Sequence, residues 1–459
     1  MEKKHTHRYI GRFIIEAETP LFVGSGEASL MKDALVQKDS NGFPMILGTS
    51  LTGVLRHSLD KKEWCSRIFG ASSSKKDGAA SLVKVSAAYM LLNQLEVSEG
   101  IADVIDPQLI ARFNNLPSRQ HVRITEKGVA KENGLFDNEV VYKGVRFVFE
   151  MELKGTADDH EIWASLIKQI QSPTFRIGSG TRNGYGSLKV IALFNKIYNL
   201  EEEADFKAYL NLNPSLNAKL PFKEVVAVDK SITAVGYTHY KLNLSPDSFF
   251  VFSEGFGDDE ADNKPLEEDI VIYKNNTLAF EKQTVIPASS IKGAIAHRTA
   301  FHYNKLNEQY ADEENGTVGC NNEAVAALFG KAGENVNDAQ AGNVFINDWY
   351  YSENEIYNNK IFNHVAIDRF TGGAINGALF SEKVSNLLEN DFCFDVYVKD
   401  SEGSLNDTKI TESLDEAFKD IAKGLLPLGG MTTKGHGIFT GTVLKDGVEI
   451  FNYNTKNEI

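Results

Sequence analysis

FRIGSGTRNGYGSLKV, at residues 175–190, is a glycine-rich loop that carries Arg182 and leads directly into a strand-like run. LPLGGMTTKGHGIFTG, at residues 426–441, is a loop of the same kind and carries Lys434. Aligning the two loops places three glycines opposite three glycines: Gly178, Gly184 and Gly186 opposite Gly429, Gly435 and Gly437. A loop that occurs twice in one chain points to an internal duplication, and a duplication predicts two domains of the same fold.

Three further landmarks recur in the same order in each half of the chain. They pair GTSLTGVL (48–55) with ASSIKGAI (288–295), IFG (68–70) with LFG (328–330), and VRITEKGVAKENGLF (122–136) with VAIDRFTGGAINGALF (365–380). Chance similarity seldom preserves such an order, so we predict two diverged copies of one domain. The copies are predicted at residues 1–197 and 233–459, with a polar, proline-containing linker at 198–232.

The first copy shows strand and helix patterns in a recognisable order. VRFVFEMEL alternates apolar and polar residues, as a half-buried strand does. DDHEIWASLIKQI places Ile162, Leu166 and Ile170 on one helical face. The complete order is a strand at YIGRFIIEAE, a helix with a Ser or Thr cap at TSLTGVLRHSLDKK, strands at VKVSAAYM and VRFVFEMEL, a helix at DDHEIWASLIKQI and a strand at YGSLKVIALF.

The second copy repeats this order of elements. They are YKLNL, SSIKGAIAHRTAFHYNKL, NVFINDWYY, DFCFDVYVK, ESLDEAFKDIAKGLL and GIFTGTVL. In its second helix, apolar residues recur at helical spacing, at Leu414, Phe418, Ile421 and Leu425. The order strand-helix-strand-strand-helix-strand predicts an α+β fold of two tandem ferredoxin-like domains.

The composition limits the possible functions. The 459 residues include 48 Lys and Arg against 63 Asp and Glu, a net charge of −15. This balance excludes a protein that is basic throughout, so any nucleic-acid site must be a local cationic strip. No run of about 18 apolar residues occurs, so no membrane-spanning helix is expected. Three widely spaced cysteines form neither a disulfide framework nor a zinc motif, which favours a reducing cytoplasm.

The repeated loops and helix starts suit an anionic ligand. Glycines leave backbone amides accessible, and Arg182 and Lys434 add positive charge, although a simple tight turn is the alternative. A helix N-terminus followed by Lys292 in its first turn also favours anions, although capping alone is the commoner explanation. In the first copy Thr52 stands at the lysine position, and Arg56 follows on the same face.

The candidate catalytic residues are few. Asp33 and Asp269 precede the two helix motifs at similar distances, but most loop aspartates only cap or solvate. His57 and His297 correspond in the two helices, where packing, RNA stacking and acid–base chemistry remain alternatives. The sequence contains no recognisable nucleophile triad and no metal-ligand spacing, so no metal-binding residue is assigned.

Together these segments resemble the RAMP superfamily, the repeat-associated proteins of CRISPR systems. IPASSIKGAIAHR resembles the family's Pro-Gly-Ser-Ser-Leu-Lys-Gly segment, and HVAIDRFTGGAINGALFSEKV resembles an Ile-Asp-Arg-x-Thr-x-x-Ala stretch of the type III backbone subunit. RIGSGTRNGYGSLKV resembles the C-terminal glycine-rich loop of that subunit. The resemblance covers nearly the whole chain and implies two fused backbone subunits, as in a type III-D-like effector.

The resemblance implies a subunit that holds a CRISPR guide RNA and contacts target RNA and other effector subunits. Thumb-like hairpins are then expected near 119–138 and 364–384, and the cleaving aspartates would be Asp33 and Asp269. A divalent cation such as Mg²⁺ is one way for a carboxylate to act, and no organic cofactor is expected. The implied RNA-binding residues are Ser50, Thr52, Arg56, Arg119, Arg123, Gly178, Arg182, Gly184, Ser289, Ser290, Lys292, Arg298, Arg369, Gly429, Gly430, Lys434 and Gly435.

Two alternatives remain open from the sequence. The chain can be a non-catalytic scaffold of the same family that binds guide RNA and neighbouring subunits. It can also be an acidic protein-interaction module whose glycine loops are only turns.

Overall fold

Each half of the chain combines helices with a mainly antiparallel sheet. The structure, a computed structural model, describes residues 5–27, 34–59, 61–71, 78–101, 106–125, 130–221, 234, 236–309, 318–331, 339–351, 356–387, 392–400 and 407–454. Asp33 lies outside these residues, and the side chain of Arg123 is also not described.

The first half builds one main sheet and one long hairpin. Its strands are β1 (His7–Ala17), β2 (Met45–Ile46), β3 (Val83–Val85), β4 (Ala88–Met90), β5 (Ser118–Ile124), β6 (Ala130–Glu139), β7 (Arg146–Gly155) and β8 (Leu188–Asn199). Its helices are α1 (Gly48–Ser58), α2 (Lys62–Phe69), α3 (Pro107–Asn114), α4 (His160–Ile170) and α5 (Glu203–Leu210). The main sheet has the order β2-β4-β7-β1-β8, with β3 also on β7, while β5 and β6 pair separately.

The second half repeats this plan and adds strands. Its strands are β9 (Tyr237–Pro246), β10 (Glu267–Lys274), β11 (Thr277–Ile286), β12 (Gly330–Lys331), β13 (Gln340–Ala341), β14 (Val344–Ile346), β15 (Trp349–Tyr351), β16 (Ile356–Ile367), β17 (Ala374–Leu387), β18 (Phe392–Lys399), β19 (Phe439–Lys445) and β20 (Val448–Asn452). Its helices are α6 (Ala288–Leu306), α7 (Glu323–Phe329) and α8 (Thr408–Ala422). The main sheet has the order β14-β18-β9-β19-β20, and β16 and β17 form a separate hairpin.

The two main sheets share one topology. In the first half, β1 lies between β7 and β8, and β4 lies on the other side of β7. In the second half, β9 lies between β18 and β19 in the same way, and β14 lies on the other side of β18. Helix α1 or α6 follows the first strand, and α4 or α8 follows the third. Equivalent loops therefore emerge at equivalent positions of the two sheets.

Alternating apolar residues build each core, as predicted for β7. Five alternating positions of VRFVFEMEL are at most 1% exposed: Val145, Phe147, Phe149, Met151 and Leu153. The predicted helix face of α4 is also buried through Ile162, Leu166 and Ile170. Val271, from β10 of the second half, packs into the first core, so the two halves share apolar contacts.

The predicted Ser or Thr cap of the first helix is wrong. Helices α1 and α6 begin after Leu47 and Pro287, and neither has a side-chain cap. The hydroxyl of Thr52 instead donates to the carbonyl of Gly48 inside the helix, at 2.7 Å. Close packing places Gly48 there, because an added Cβ would lie 2.5 Å from the carbonyl oxygen of Val85.

Three element boundaries also differ from the prediction. VKVSAAYM forms two strands, β3 and β4. They are separated because the Glu150 amide donates to the hydroxyl of Ser86, at 2.9 Å, in place of a backbone carbonyl. NVFINDWYY divides into β14 and β15, which belong to different sheets. Leu425 lies beyond the end of α8 and is exposed, since Gly424 turns the chain there with φ of +76°.

The described part of the predicted linker packs on the first half. Helix α5 follows β8, and the Tyr209 hydroxyl donates to Glu152 at 2.8 Å. Leu216 is buried, and Arg12 donates to the carbonyl of Ala218 at 2.8 Å. Residues 222–233 lie outside the described residues. The first half therefore extends structurally to about residue 221.

Candidate functional site

The first glycine loop packs on the start of helix α6 in the second half. An added Cβ on Gly184, whose φ is +101°, would lie 2.7 Å from the Cβ of Ala288. Lys292 donates to the side chain of Asn183 at 2.8 Å, and Arg182 donates to the carbonyl of Gly342 at 3.0 Å. We call this contact the seam. It brings together three residues that the sequence predicts to be functional: Arg182, Gly184 and Lys292.

Equivalent glycines hold the two loops in the same way. Gly178 and Gly429 have φ of +91° and +97°. An added Cβ would lie 2.1 Å from the carbonyl oxygen of Phe22 or 2.5 Å from that of Val251. Only glycine combines this backbone conformation with so close an approach. The next amides, of Ser179 and Gly430, donate to the same carbonyls at 2.8 and 2.7 Å.

The equivalent surfaces, on α1 and on the second glycine loop, are partly exposed. On α1, Arg56 is exposed and Ser50 and Thr52 are half-buried. In the second loop, Lys434 and Gly435 are exposed, and an added Cβ on Gly435 would meet nothing within 4 Å. The α1 surface therefore corresponds to the α6 side of the seam, and the second glycine loop corresponds to its first-loop side.

The two long hairpins carry exposed apolar side chains. At the turn of the β16–β17 hairpin, Phe370 is 99% exposed and Arg369 is exposed beside it. Asp368 fixes this turn by accepting from the amides of Phe370 and Thr371 at 3.0 and 2.8 Å. These bonds lower the pKa of Asp368. Further exposed apolar residues follow the hairpins: Val122, Ile124, Phe136, Val365, Ile367, Ile375 and Leu379.

The base of the second hairpin is tied to the second glycine loop. Glu382, which is completely buried, accepts from His364 at 2.7 Å and from His436 at 3.2 Å. Lys434 lies 4.8 Å from the ring centre of Phe380. The Oε2 atom of Glu382 has no hydrogen-bond partner among the described residues. Hairpin and loop therefore form one unit.

The segment between the first strand and the first helix has the same hydrogen-bonded frame in both halves. Equivalent backbone bonds join Ser25 to Leu35 and Gln37 to Val23 in the first half, and Glu254 to Lys264 and Leu266 to Phe252 in the second. Counted from these anchors, Asp262 is the positional counterpart of Asp33. Asp269, the counterpart predicted from the sequence, lies beyond these backbone hydrogen bonds, on the β10–β11 hairpin. At the equivalent place the first half has a short turn, which the Lys38–Pro44 bridge closes.

Asp262 contacts the second hairpin directly. Its Oδ2 accepts from the amide and the hydroxyl of Ser381, both at 2.8 Å, and its own amide donates to that hydroxyl at 3.0 Å. The hydrogen bonds from the Ser381 amide and hydroxyl lower the pKa of Asp262. Its side chain is exposed. Asp269 instead accepts from Arg112 at 3.1 Å.

Two predicted RNA-binding arginines are engaged within the protein. Arg119 is 5% exposed and pairs with Asp348 at 2.5 Å and with Glu268 at 2.6 Å, across the two halves. Burial disfavours its charge, but the two carboxylates raise the pKa of Arg119 well above its ordinary value. Arg298 pairs with Asp420 at 2.6 Å, between α6 and α8. These pairs give both arginines a role in packing.

A histidine lies beside the Arg119 pairs. The His121 ring contacts the Tyr185 hydroxyl at 2.5 Å and stacks on Phe136. Burial and the positive charge of Arg119 lower the pKa of His121 to about 4. His121 is therefore neutral at neutral pH, which suits its buried position on β5.

The remaining predicted residues lie on these same surfaces. Ser289 and Ser290 occupy the first turn of α6, and Gly430 lies in the second loop. Among the described residues no three His, Cys, Asp or Glu side chains are placed to hold a metal ion. No helix in the described part of the chain is long and apolar enough to cross a membrane.

Comparison with known proteins finds the same family in both halves. The family model of the RAMP superfamily matches residues 14–189 and 277–440. The CRISPR system Cmr endoribonuclease Cmr4 of Pyrococcus furiosus is 29% identical over 168 residues, which cover 33% of this chain. The matched region spans 55% of that relative's length. A chain of a type III-B Cmr-beta cryo-EM structure in the apo state aligns at 18% identity with a TM-score of 0.30, covering 39% of this chain and 96% of that one.

Proposed function

Because the chain belongs to the RAMP superfamily, with one matched region in each half, we propose that it is a guide-RNA-binding backbone subunit of a type III CRISPR effector complex. We further propose that it cleaves target RNA paired with the guide. The relative from Pyrococcus furiosus, named as an endoribonuclease of such a system, supports this assignment. The sheet order of both halves supports the finer description as ferredoxin-like domains with thumb-like hairpins.

The seam is the observation that carries the proposal. It places the first loop, with Arg182, against the helix start that carries Lys292. An RNA strand that follows the first loop would therefore reach the start of α6 in the second half directly. Cations along such a line neutralise backbone phosphates regardless of sequence, and base pairing with the guide supplies specificity.

The uncovered ends of the chain support partners of the same family. The exposed α1 face with Arg56 matches the covered α6 face, and the exposed second loop with Lys434 matches the covered first loop. A head-to-tail contact of this kind extends into a row of subunits when its rotation does not close a ring. Neighbouring effector subunits would then continue the line along the guide RNA.

In the proposed chemistry the RNA's own 2′-hydroxyl attacks the adjacent phosphorus, which forms a 2′,3′-cyclic phosphate and breaks the bond to the 5′ oxygen. The hydroxyl gives its proton to water, and the leaving 5′ oxygen takes a proton from water. A hairpin that displaces one nucleotide frees the backbone to bring that hydroxyl in line with the leaving 5′ oxygen. Asp262 lies where the second hairpin meets the loop before α6, and hydrogen bonds from Ser381 favour its ionised form. A carboxylate of low pKa is a weak base, so its role would be to orient the hydroxyl. Asp33 would take the same role in the first half.

The proposed function is tested by purification of the full chain with and without a coexpressed guide RNA. We expect copurified RNA, seen as high absorbance at 260 nm that ribonuclease treatment removes. The variant Lys292→Gln/Lys434→Gln should bind the guide about tenfold more weakly, with a shallower salt dependence, because phosphate contacts are lost. Lys84→Gln/Lys154→Gln removes the same charge from exposed positions elsewhere and is the control. A chain without affinity for RNA would instead be a protein-interaction module.

Phe370 is expected to act as a wedge at the hairpin turn. Phe370→Ala should leave the thermal unfolding temperature unchanged, because the side chain is 99% exposed. It should slow target cleavage beside the second hairpin by about tenfold, since a stacked base contributes about 1–3 kcal/mol. Initial cleavage rates at each site measure the effect, with Phe206→Ala on α5 as the control. Equal rates for both variants would remove Phe370 from the mechanism.

A further inference from the structure

A cavity of about 530 Å³ lies between the two halves, next to the seam. Its walls come from α1, α4 and the first glycine loop on one side, and from the start of β9, β14 and the end of β18 on the other. Its volume falls in the range of small-ligand sites, which are often found between domains. We call it the seam cavity.

The charge of the seam cavity is opposite to that of the chain. Its ionisable lining residues are His57, Lys168, Arg176, Arg182, Lys399 and Asp400. Four permanent cations thus face one carboxylate, although acidic residues outnumber basic ones in the whole chain. Lys168 is exposed and Lys399 is half-buried, and neither forms an ion pair among the described residues. Such a cluster gives the cavity a positive local potential, which attracts anions.

Arg176 is the buried member of this cluster. It is 5% exposed, and one guanidinium nitrogen donates to the side chain of Asn347. A second nitrogen is 3.5 Å from the carbonyl oxygen of Tyr185, and Nε has no partner among the described residues. Burial lowers the pKa of Arg176 to about 10, so the group is still charged at neutral pH. No carboxylate contacts this buried cation directly among the described residues, and Glu18 and Asp348 offset only part of the cost of burial from a distance. A bound anion in direct contact would offset more of it.

The first loop adds further donors to the same wall. Thr181 and Arg182 line the cavity, and the Thr181 amide has no hydrogen-bond partner among the described residues. Tyr237 and Phe345 provide apolar surface. The guanidinium groups of Arg182 and Arg176 lie 4.3 and 5.6 Å from the ring centre of Phe345. Cations and an amide opposite a partly apolar wall suit a ligand with both phosphate and carbon-bearing groups.

We propose that the seam cavity binds a phosphate group carried by a ligand of about nucleotide size. The phosphate would lie between Lys168, Arg176 and Lys399, so it would contact both halves of the chain at once. The phosphate can belong to a free small molecule or to a bound RNA strand, and both have the same recognition chemistry. The site is separate from Asp262 and from the hairpins, and it does not depend on RNA cleavage.

Binding of inorganic pyrophosphate to the ribonuclease-treated full chain tests this proposal by isothermal titration calorimetry. We expect saturable binding that weakens about tenfold or more in Lys168→Gln/Lys399→Gln, because two charge-assisted contacts are lost. Lys84→Gln/Lys154→Gln changes the net charge equally and should bind as the unchanged chain does. Absence of binding, or equal weakening in both double variants, would overturn the proposal.

A competition experiment distinguishes the two sources of the phosphate. If single-stranded RNA displaces pyrophosphate, and the Lys168→Gln/Lys399→Gln variant also binds RNA more weakly, then the cavity holds an RNA phosphate. If pyrophosphate and RNA bind together, then the cavity serves a separate small ligand. A chain that binds pyrophosphate but no RNA would contradict the proposed function while supporting this site.

Discussion

Asp262→Asn is expected to abolish target RNA cleavage at one position while guide and target binding are unchanged. Asp262 is held by two hydrogen bonds from Ser381, which also fix the loop against the hairpin. Asparagine keeps the shape of the side chain but loses the charge that would orient the 2′-hydroxyl. Loss of the correct position of a reacting group can cost about 10²-fold in rate, so cleavage at that position should fall by about this factor. Gel mapping of end-labelled target RNA measures each position separately.

Asp269→Asn is the matched control for this experiment. Asp269 lies on β10 and pairs with Arg112, away from the equivalent hydrogen-bonded frame. We expect its cleavage pattern to match that of the unchanged chain. Asp33→Asn should remove a different cut, and Asp33→Asn/Asp262→Asn should remove both. Loss of cleavage in Asp269→Asn alone would favour the original sequence-based pairing, and full activity of the double variant would favour a scaffold.

Arg119→Met is expected to lower the free energy of unfolding by about 3–5 kcal/mol. The substitution leaves Asp348 and Glu268 facing each other without their cation, and Asp348 is completely buried. Burial already raises the pKa of Asp348, and Arg119 opposes that effect. Because these pairs join the two halves, the halves should also unfold less cooperatively. Urea unfolding followed by fluorescence measures both effects.

Arg112→Met provides the comparison for an exposed pair. Arg112 and Asp269 are 54% and 33% exposed, so their pair should contribute about 1 kcal/mol or less. Adding Asp348→Asn to Arg119→Met should restore part of the lost stability, since it removes an uncompensated buried charge. If Arg119→Met and Arg112→Met had equally small effects, Arg119 would not be the main polar link between the halves.

Regular patterns in the sequence predicted much of the fold. The order of four landmarks predicted two copies, and a RAMP superfamily match in each half confirms the duplication. Alternation in VRFVFEMEL predicted β7 and its buried face because a half-buried strand needs that period. Gly178 and Gly429 were identifiable because a close backbone approach with positive φ requires glycine.

Contacts between distant segments could not be predicted in this way. Arg119 has the composition of an RNA-binding residue, and its two acidic partners lie about 150 and 230 positions further along the chain. Asp269 was paired with Asp33 because both precede a helix motif at similar distances. The longer hairpin of the second half shifts that count, and the backbone hydrogen bonds place Asp262, not Asp269, at the position equivalent to Asp33. The prediction of a side-chain cap was wrong because close packing at Gly48 determines where α1 begins.

Ultraviolet crosslinking of the full chain to guide RNA, with the crosslinked peptides identified by mass spectrometry, tests most directly whether both halves bind one RNA strand. We predict crosslinks in both glycine loops, at 175–187 and 426–437, and at the starts of both α1 and α6. Neighbouring nucleotides should reach the first loop and the α6 start, since these meet at the seam. Crosslinks confined to one half, or to surfaces away from both loops, would contradict the account.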